Sequence, residues 1–222
     1  GNFDWEQICI AAQESCGSWI PKSVTRQLSD CAGSGKKDRV VKESVTREHL
    51  CLMSSSVSAQ DPARYAAMLL ASIVGDDVGS RFFWEIVDKA IAETASMLFN
   101  PMDGTGFFCS YVLCGSQNLE KVLDIVNKIF ENIAAEGVTD SELTKAKNKV
   151  LSELVIKNEL PMGRLVDLGF NWIYHNQYFK IENEIQAIKD VTIEDIKSLI
   201  EQLKPGDFTQ LILGPVKNSV KE

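Results

Sequence analysis

Two histidines, His49 and His175, and six cysteines, Cys9, Cys16, Cys31, Cys51, Cys109 and Cys114, are the side chains best suited to hold a metal or attack a substrate. Zinc takes three or four convergent His, Cys or carboxylate ligands, and a helical His-x-x-Glu-His sets two of them beside a general base. Neither histidine stands in such a motif. Glu48-His49 lies in a strand-like run, where an ordinary surface or core histidine is expected rather than a ligand. The cysteines show no Cys-x-x-Cys spacing, and six in a chain of 222 residues do not make a disulfide scaffold, so free thiols are expected. Cys109 or Cys114 acting with His175 would be a nucleophile pair, but a strand setting fits small buried hydrophobes better.

Other candidates fail on their own terms. No Gly-x-Ser-x-Gly elbow is present, and Gly75 to Gly79 lacks the Gly-Lys-Ser/Thr ending of a phosphate loop and joins helix to helix. Lys145, Lys147 and Lys149, beside Glu142 and Glu153, read as a solvated helix face with weak ion pairs. Trp172, Tyr174, Tyr178 and Phe179 read as a satellite core. The chain carries no catalytic constellation of its own.

The elements that would position any site follow from periodicity. A helix is expected over 4 to 16, with Trp5, Ile8, Cys9, Ala12 and Cys16 at helical spacing and Gly17 as its stop. Ser, Thr, Gly and Lys then dominate to Asp38, as in a mobile linker. Val40 to Val57 alternates as a strand, and Asp61-Pro62 opens a helix whose buried face is Ala66, Ala67, Leu69, Leu70, Ile73 and Val74. Ser80 caps a second helix through Val87. Thr94 to Met102 and Thr105 to Cys114 form a hairpin about Asp103-Gly104. An amphipathic helix runs from Leu119 to Gly137, and Thr139 with Glu142 makes a capping box for another that Pro161 ends. Helices follow through Trp172, around Ile181 to Ile188, and from the Thr192/Asp195 cap to Leu203, before a last strand at Phe208 to Leu213. This order implies an α+β domain, an antiparallel or mixed sheet layered with helices mainly on one face.

Composition bounds the function. With 45% hydrophobic and 24% charged residues the chain can bury a full core. A net charge of -8 and a pI near 4.9 argue against nucleic acid, whose partners present a basic surface. No run approaches the roughly 20 apolar residues of a membrane span. Gly1-Asn2 reads as including a cloning remnant, and the missing initiator Met suggests a fragment or processed product, so a soluble chain is expected whose compartment the sequence leaves open.

Several segments in order carry a resemblance: Gly75-Asp-Asp-Val-Gly-Ser80-Arg-Phe-Phe-Trp-Glu85-Ile-Val-Asp-Lys89, Thr105-Gly-Phe-Phe108, Gly137-Val-Thr-Asp-Ser-Glu142-Leu-Thr-Lys-Ala-Lys147 and Leu211-Ile-Leu-Gly-Pro215. Together they resemble the non-catalytic, C-terminal half of zinc metallopeptidases of the pitrilysin, insulinase and mitochondrial processing peptidase family. The resemblance implies residues 1-21 as the end of a preceding catalytic-type domain, 22-38 as linker, 39-217 as the peptidase-like domain and 218-222 as tail. It further implies a clamshell in which this domain is one wall of a peptide-enclosing chamber. Zinc and its chemistry would reside in the other half, with no cofactor in this chain. The implied partners are a peptide or protein substrate and the N-terminal catalytic-type domain; a homo-oligomer is compatible with them. In this family the second domain often lends an Arg and a Tyr, seven residues apart, to the scissile region; Val87 and Thr94 hold those positions here. Val87, Thr94, Ser80 and Arg81 are therefore the substrate-facing candidates, none of them catalytic. The alternative is a non-catalytic structural or peptide-binding subunit of the same fold.

Overall fold

In a computed structural model, residues 2–22 and 34–215 are described. The central linker expected between 22 and 38 falls largely outside them, as does the tail at 218-222. Alternation of apolar and polar residues builds the sheet. In β2 (Glu48–Ser56) and β4 (Thr105–Cys114), the even-numbered positions from Glu48 to Ser54 and from Gly106 to Cys114 are buried. The odd-numbered residues point the other way, as the two-residue period of a strand requires. These strands pair antiparallel, Leu50 opposite Val112 and Leu52 opposite Ser110.

β3 (Thr94–Met102) pairs antiparallel with β4 across Asp103-Gly104, as expected from sequence. Gly104 has φ +68°, which a tight hairpin turn requires and glycine adopts at least cost. Gln60 clamps the turn, donating to Asp103 Oδ1 at 2.6 Å and accepting from the Gly104 N–H at 3.0 Å.

The single strand expected from Val40 to Val57 is two strands. β1 (Lys37–Val41) pairs parallel with β5 (Thr209–Gly214), and β5 pairs antiparallel with β2. β1 thus begins inside the stretch read as linker. Its Lys-Asp-Arg start hides it from a search for alternation, because charge on an edge strand blocks unwanted pairing rather than signalling burial. The completed sheet is mixed, five-stranded, in the order β1-β5-β2-β4-β3.

Helices cover one face. α2 (Arg64–Gly75) starts two residues after Pro62, since Asp61 Oδ1 first accepts from the Ala63 N–H at 2.8 Å and holds a turn there. Its expected apolar face, Ala66 to Val74, is buried. Gly75 then lets the helix end abut β3: a Cβ there would stand 2.2 Å from the Met97 backbone nitrogen. α3 (Leu119–Glu136), α4 (Asp140–Glu159), α5 (Pro161–His175), α6 (Ile181–Asp190) and α7 (Ile193–Leu203) follow, with capping boxes opening α4 and α7 and Pro161 separating α4 from α5. Leu69, Val126, Ile133 and Leu199 from the helices meet Leu50, Met97, Phe108 and Val112 from the sheet in the core. α1 (Trp5–Cys16), capped by Asp4, has no buried residue.

Candidate functional site

The turn after α2 is built to be rigid. Ser80 is 2% exposed; its Oγ donates to the Asp76 carbonyl at 2.5 Å and accepts from the Phe83 N–H at 3.1 Å. This is the cap expected of Ser80, but Phe83–Val87 is wound as a π-helical turn, with the Asp88 N–H reaching the Phe83 carbonyl at 2.8 Å. Such wider turns are uncommon and recur at functional sites. Arg81 donates from Nε and Nη2 to the two Glu142 carboxylate oxygens at 2.7 and 3.0 Å, and from Nη2 to the Gly137 carbonyl at 2.9 Å. Ser80 thus spends its hydroxyl within the turn, and Arg81 spends its guanidinium on holding the turn to the α3–α4 connection. Arg81 and Glu142 line a cleft of about 930 Å³ between this turn and α3, with Trp84, Lys121, Ile125 and Lys128.

Glu142 serves twice, since it also closes the capping box by accepting from the Thr139 N–H at 2.8 Å. Burial pushes its carboxyl up, but hydrogen bonds from Arg81 and Thr139 outweigh that and hold it below the ordinary value of 4.5. A lowered folded value means the stabilisation is present above the ordinary carboxylate value and is lost as pH falls through the folded one. Glu142→Gln should therefore cost about 1.5–2 kcal/mol at neutral pH, as charge-assisted bonds weaken. The gap from wild type in urea midpoints should close progressively below pH 4.5. A gap independent of pH would mean that the charge on Glu142 contributes nothing.

Val87 packs partly buried against the core at the last residue of the π-helical turn, whereas Thr94 opens edge strand β3 and is exposed. Thr94 lies opposite Leu113 on the face of the sheet that the helices leave open. Leu98 at 61%, Leu211 at 45% and Met53 at 38% exposure share that face, as do His49, Cys51, Cys109 and Tyr111.

Two polar contacts run along parallel diagonals there. His49 Nδ1 meets the Tyr111 hydroxyl at 2.7 Å, and the Cys51 and Cys109 sulfurs stand 3.7 Å apart. Burial, reinforced by Cys51, pushes the Cys109 thiol up to about 11, so it is protonated at neutral pH and no nucleophile. Cys114 is fully buried and likewise pushed up to about 11, chiefly by burial. His175 ends α5 instead, edge-on to Phe179, so the sheet cysteines neighbour His49 rather than His175. Among the described residues no group of three or more His, Cys, Asp or Glu side chains converges as metal ligands.

Two features differ from the sequence reading. The aromatic run around Trp172 is not a satellite core: Trp172 is 57% exposed and Tyr178 about half, with Tyr174 and Phe179 partly covered. Lys149 and Lys147 do more than solvate a face, since Lys149 pairs with Asp76 at 2.7 Å and Lys147 donates to the Lys189 carbonyl at 2.6 Å. Sequence reasoning also passed over Glu48, which is fully buried and bonded to Arg39 Nη2 through both carboxylate oxygens, at 2.9 and 3.0 Å. The signal was available: Glu48 shares the parity of Leu50 and Leu52, and an acid on the buried face calls for a cation.

The fold is a five-stranded mixed sheet layered with helices on one face, and no metal-ligand group converges among its described residues. Residues 1–150 match the family described as peptidase M16 inactive domain, and the chain belongs to that family as its inactive, C-terminal domain. A protein of Mycobacterium leprae named an uncharacterized zinc protease is 22% identical over 220 residues, covering 97% of this chain and 49% of that protein. A peptidase M16 inactive domain from Pseudomonas fluorescens superposes with a TM-score of 0.77 at 21% identity, covering 96% of this chain and 51% of that one. A chain of complex III from Candida albicans superposes with a TM-score of 0.84 at 14% identity, covering 100% and 55%. The chain spans about half the length of the curated relatives it matches. No helix among the described residues is long and apolar enough to cross a membrane.

Proposed function

We propose that this domain forms one wall of the peptide-enclosing chamber of a zinc metallopeptidase, with zinc and its chemistry supplied by the preceding half. The observation that carries the reading is the helix-free face of the sheet. It presents Leu98, Met53, Leu211 and Tyr111 to solvent on strands whose other face carries the core. An extended peptide can lie on such a face through apolar side-chain contacts without asking it for chemistry. By the family resemblance Val87 and Thr94 hold the positions of the family's Arg and Tyr; Thr94 is on this face, whereas Val87 packs against the core. The residues present do not suit zinc: His49 spends Nδ1 on Tyr111, and no third ligand converges among the described residues.

A second reading has its own support. Val87 and Thr94 provide neither a fixed cation nor a phenol to stabilise developing charge, as a non-catalytic subunit would not need to. The fold is also shared with the Candida albicans complex III chain. One experiment separates them, using this chain alone and the longer protein with its preceding half. The chain alone should retain no stoichiometric zinc after dialysis and cleave no peptide, while the longer protein retains zinc and cleaves a fluorogenic peptide library until chelated. A longer protein that binds peptides yet holds no zinc and cleaves none would replace the first reading with the second.

A further inference from the structure

Cys51 on β2 and Cys109 on β4 meet on the face of the sheet that the helices leave open, where their sulfurs stand 3.7 Å apart. That is contact without a bond, since a disulfide joins its sulfurs at about 2.05 Å. The two are diagonal neighbours: Cys51 lies opposite Tyr111, and Cys109 opposite Met53. Both are partly exposed, although cysteine is among the residue types most often fully buried. Of the other described cysteines, Cys114 is buried on the helix-covered face, and Cys9 and Cys16 stand on α1. On a half-exposed sheet face β-branched and aromatic residues pack better. Packing alone therefore does not account for two touching thiols there.

We propose that Cys51 and Cys109 are a reversible dithiol/disulfide pair, oxidised by small-molecule disulfides such as oxidised glutathione and restored by thiols. The Cys51 thiolate attacks one sulfur of the oxidant, forming a mixed disulfide and releasing one thiolate. Cys109, as thiolate, then attacks the Cys51 sulfur, closing the Cys51-Cys109 bond and releasing the second. The two thiol protons pass to the two departing thiolates, and the two electrons the protein loses reduce the oxidant's bond. The order of attack follows from the contact. Burial and the neighbouring Cys51 sulfur push the Cys109 thiol up to about 11, so Cys109 is the one that keeps its proton. Once Cys51 is held in a mixed disulfide its charge no longer opposes ionisation of Cys109, and the sulfur to be attacked is already in contact. Diagonal positions on paired strands have Cα atoms about 7–8 Å apart, at or beyond the limit for an unstrained bridge. Closure must draw β2 and β4 together, which leaves the bond easier to reduce than a structural one. The pair is therefore a switch rather than a permanent staple. The inference does not rest on the peptidase reading.

The test incubates this chain, and the longer protein with its preceding half, with oxidised glutathione at mildly alkaline pH and without denaturant. Remaining thiols are then capped with N-ethylmaleimide, and the peptides are mapped by mass spectrometry. Wild type should form a Cys51-Cys109 cross-link that dithiothreitol reverses completely. Because the second step is intramolecular, the cross-linked form should exceed the Cys51 mixed disulfide by roughly tenfold or more. Cys109→Ser should stop the sequence at its midpoint, leaving glutathione on Cys51 with an unchanged circular dichroism spectrum. A wild type in which Cys51 and Cys109 are both recovered capped, or carry glutathione without cross-linking, overturns the proposal. So does a cross-link that forms in this chain but not in the longer protein, which would mean that the preceding half covers the pair.

Discussion

Replacing Glu48 by Ala is expected to destabilise the domain by about 3–5 kcal/mol, because it strands a buried guanidinium. Glu48 is 0% exposed, and the side chain of its partner Arg39 is 16% exposed. Arg39 stands on edge strand β1 and Glu48 on β2, with β5 between them, so the ion pair ties three strands across one face. Gly214 of β5 makes the room: a Cβ there would lie 1.8 Å from a Glu48 carboxylate oxygen. Glu48→Gln keeps the shape and part of the hydrogen bonding and should lose less. Arg39→Met with Glu48→Leu removes both charges together and should recover most of the loss, since a buried pair replaced by apolar residues of similar volume is near neutral. Urea midpoints at constant slope measure all three. A Glu48→Ala midpoint within error of wild type would mean that water reaches Arg39 and the pair is not buried in solution.

That ion pair also marks the limit of what the sequence discloses. Features that close within a few residues were legible: the hairpin at Asp103-Gly104, the capping boxes at Thr139/Glu142 and Thr192/Asp195, and the break at Pro161 each rest on local backbone chemistry. The buried face of α2 was legible because its period is strict. β1 was not, because a short charged edge strand has no period to detect. Its parallel pairing with β5 joins residues some 170 positions apart, as Lys37 with Gln210. The ordered segments from Gly75 to Pro215 identified the family, but they said nothing of how Ser80 and Arg81 use their polar groups. Arg81 looked available to a substrate until Glu142 and the Gly137 carbonyl, far along the chain, came to meet it.

Phe82→Ala is expected to cost about 3–5 kcal/mol, as a fully buried ring leaves a cavity that its surroundings only partly fill. Phe82 is 0% exposed and lies directly beneath the turn that carries Arg81 and Val87. Its ring meets Phe130 of α3 edge-on at 6.2 Å, and Phe130 meets Phe208, just before β5, at 4.7 Å. One ring therefore connects the post-α2 turn, the long helix and the return into the sheet. Edge-to-face pairs add stability beyond the area they bury, so the loss should exceed that from an isolated phenylalanine. Phe83 is the internal control, being only partly buried and meeting exposed Trp84 edge-on at 4.9 Å. Phe83→Ala should cost less than half as much. In a domain of this length each kcal/mol moves the melting temperature by roughly 2–4 °C, so Phe82→Ala should melt about 6–20 °C below wild type. Equal losses for the two would mean that the ring cluster does not support the turn on which Arg81 and Val87 stand.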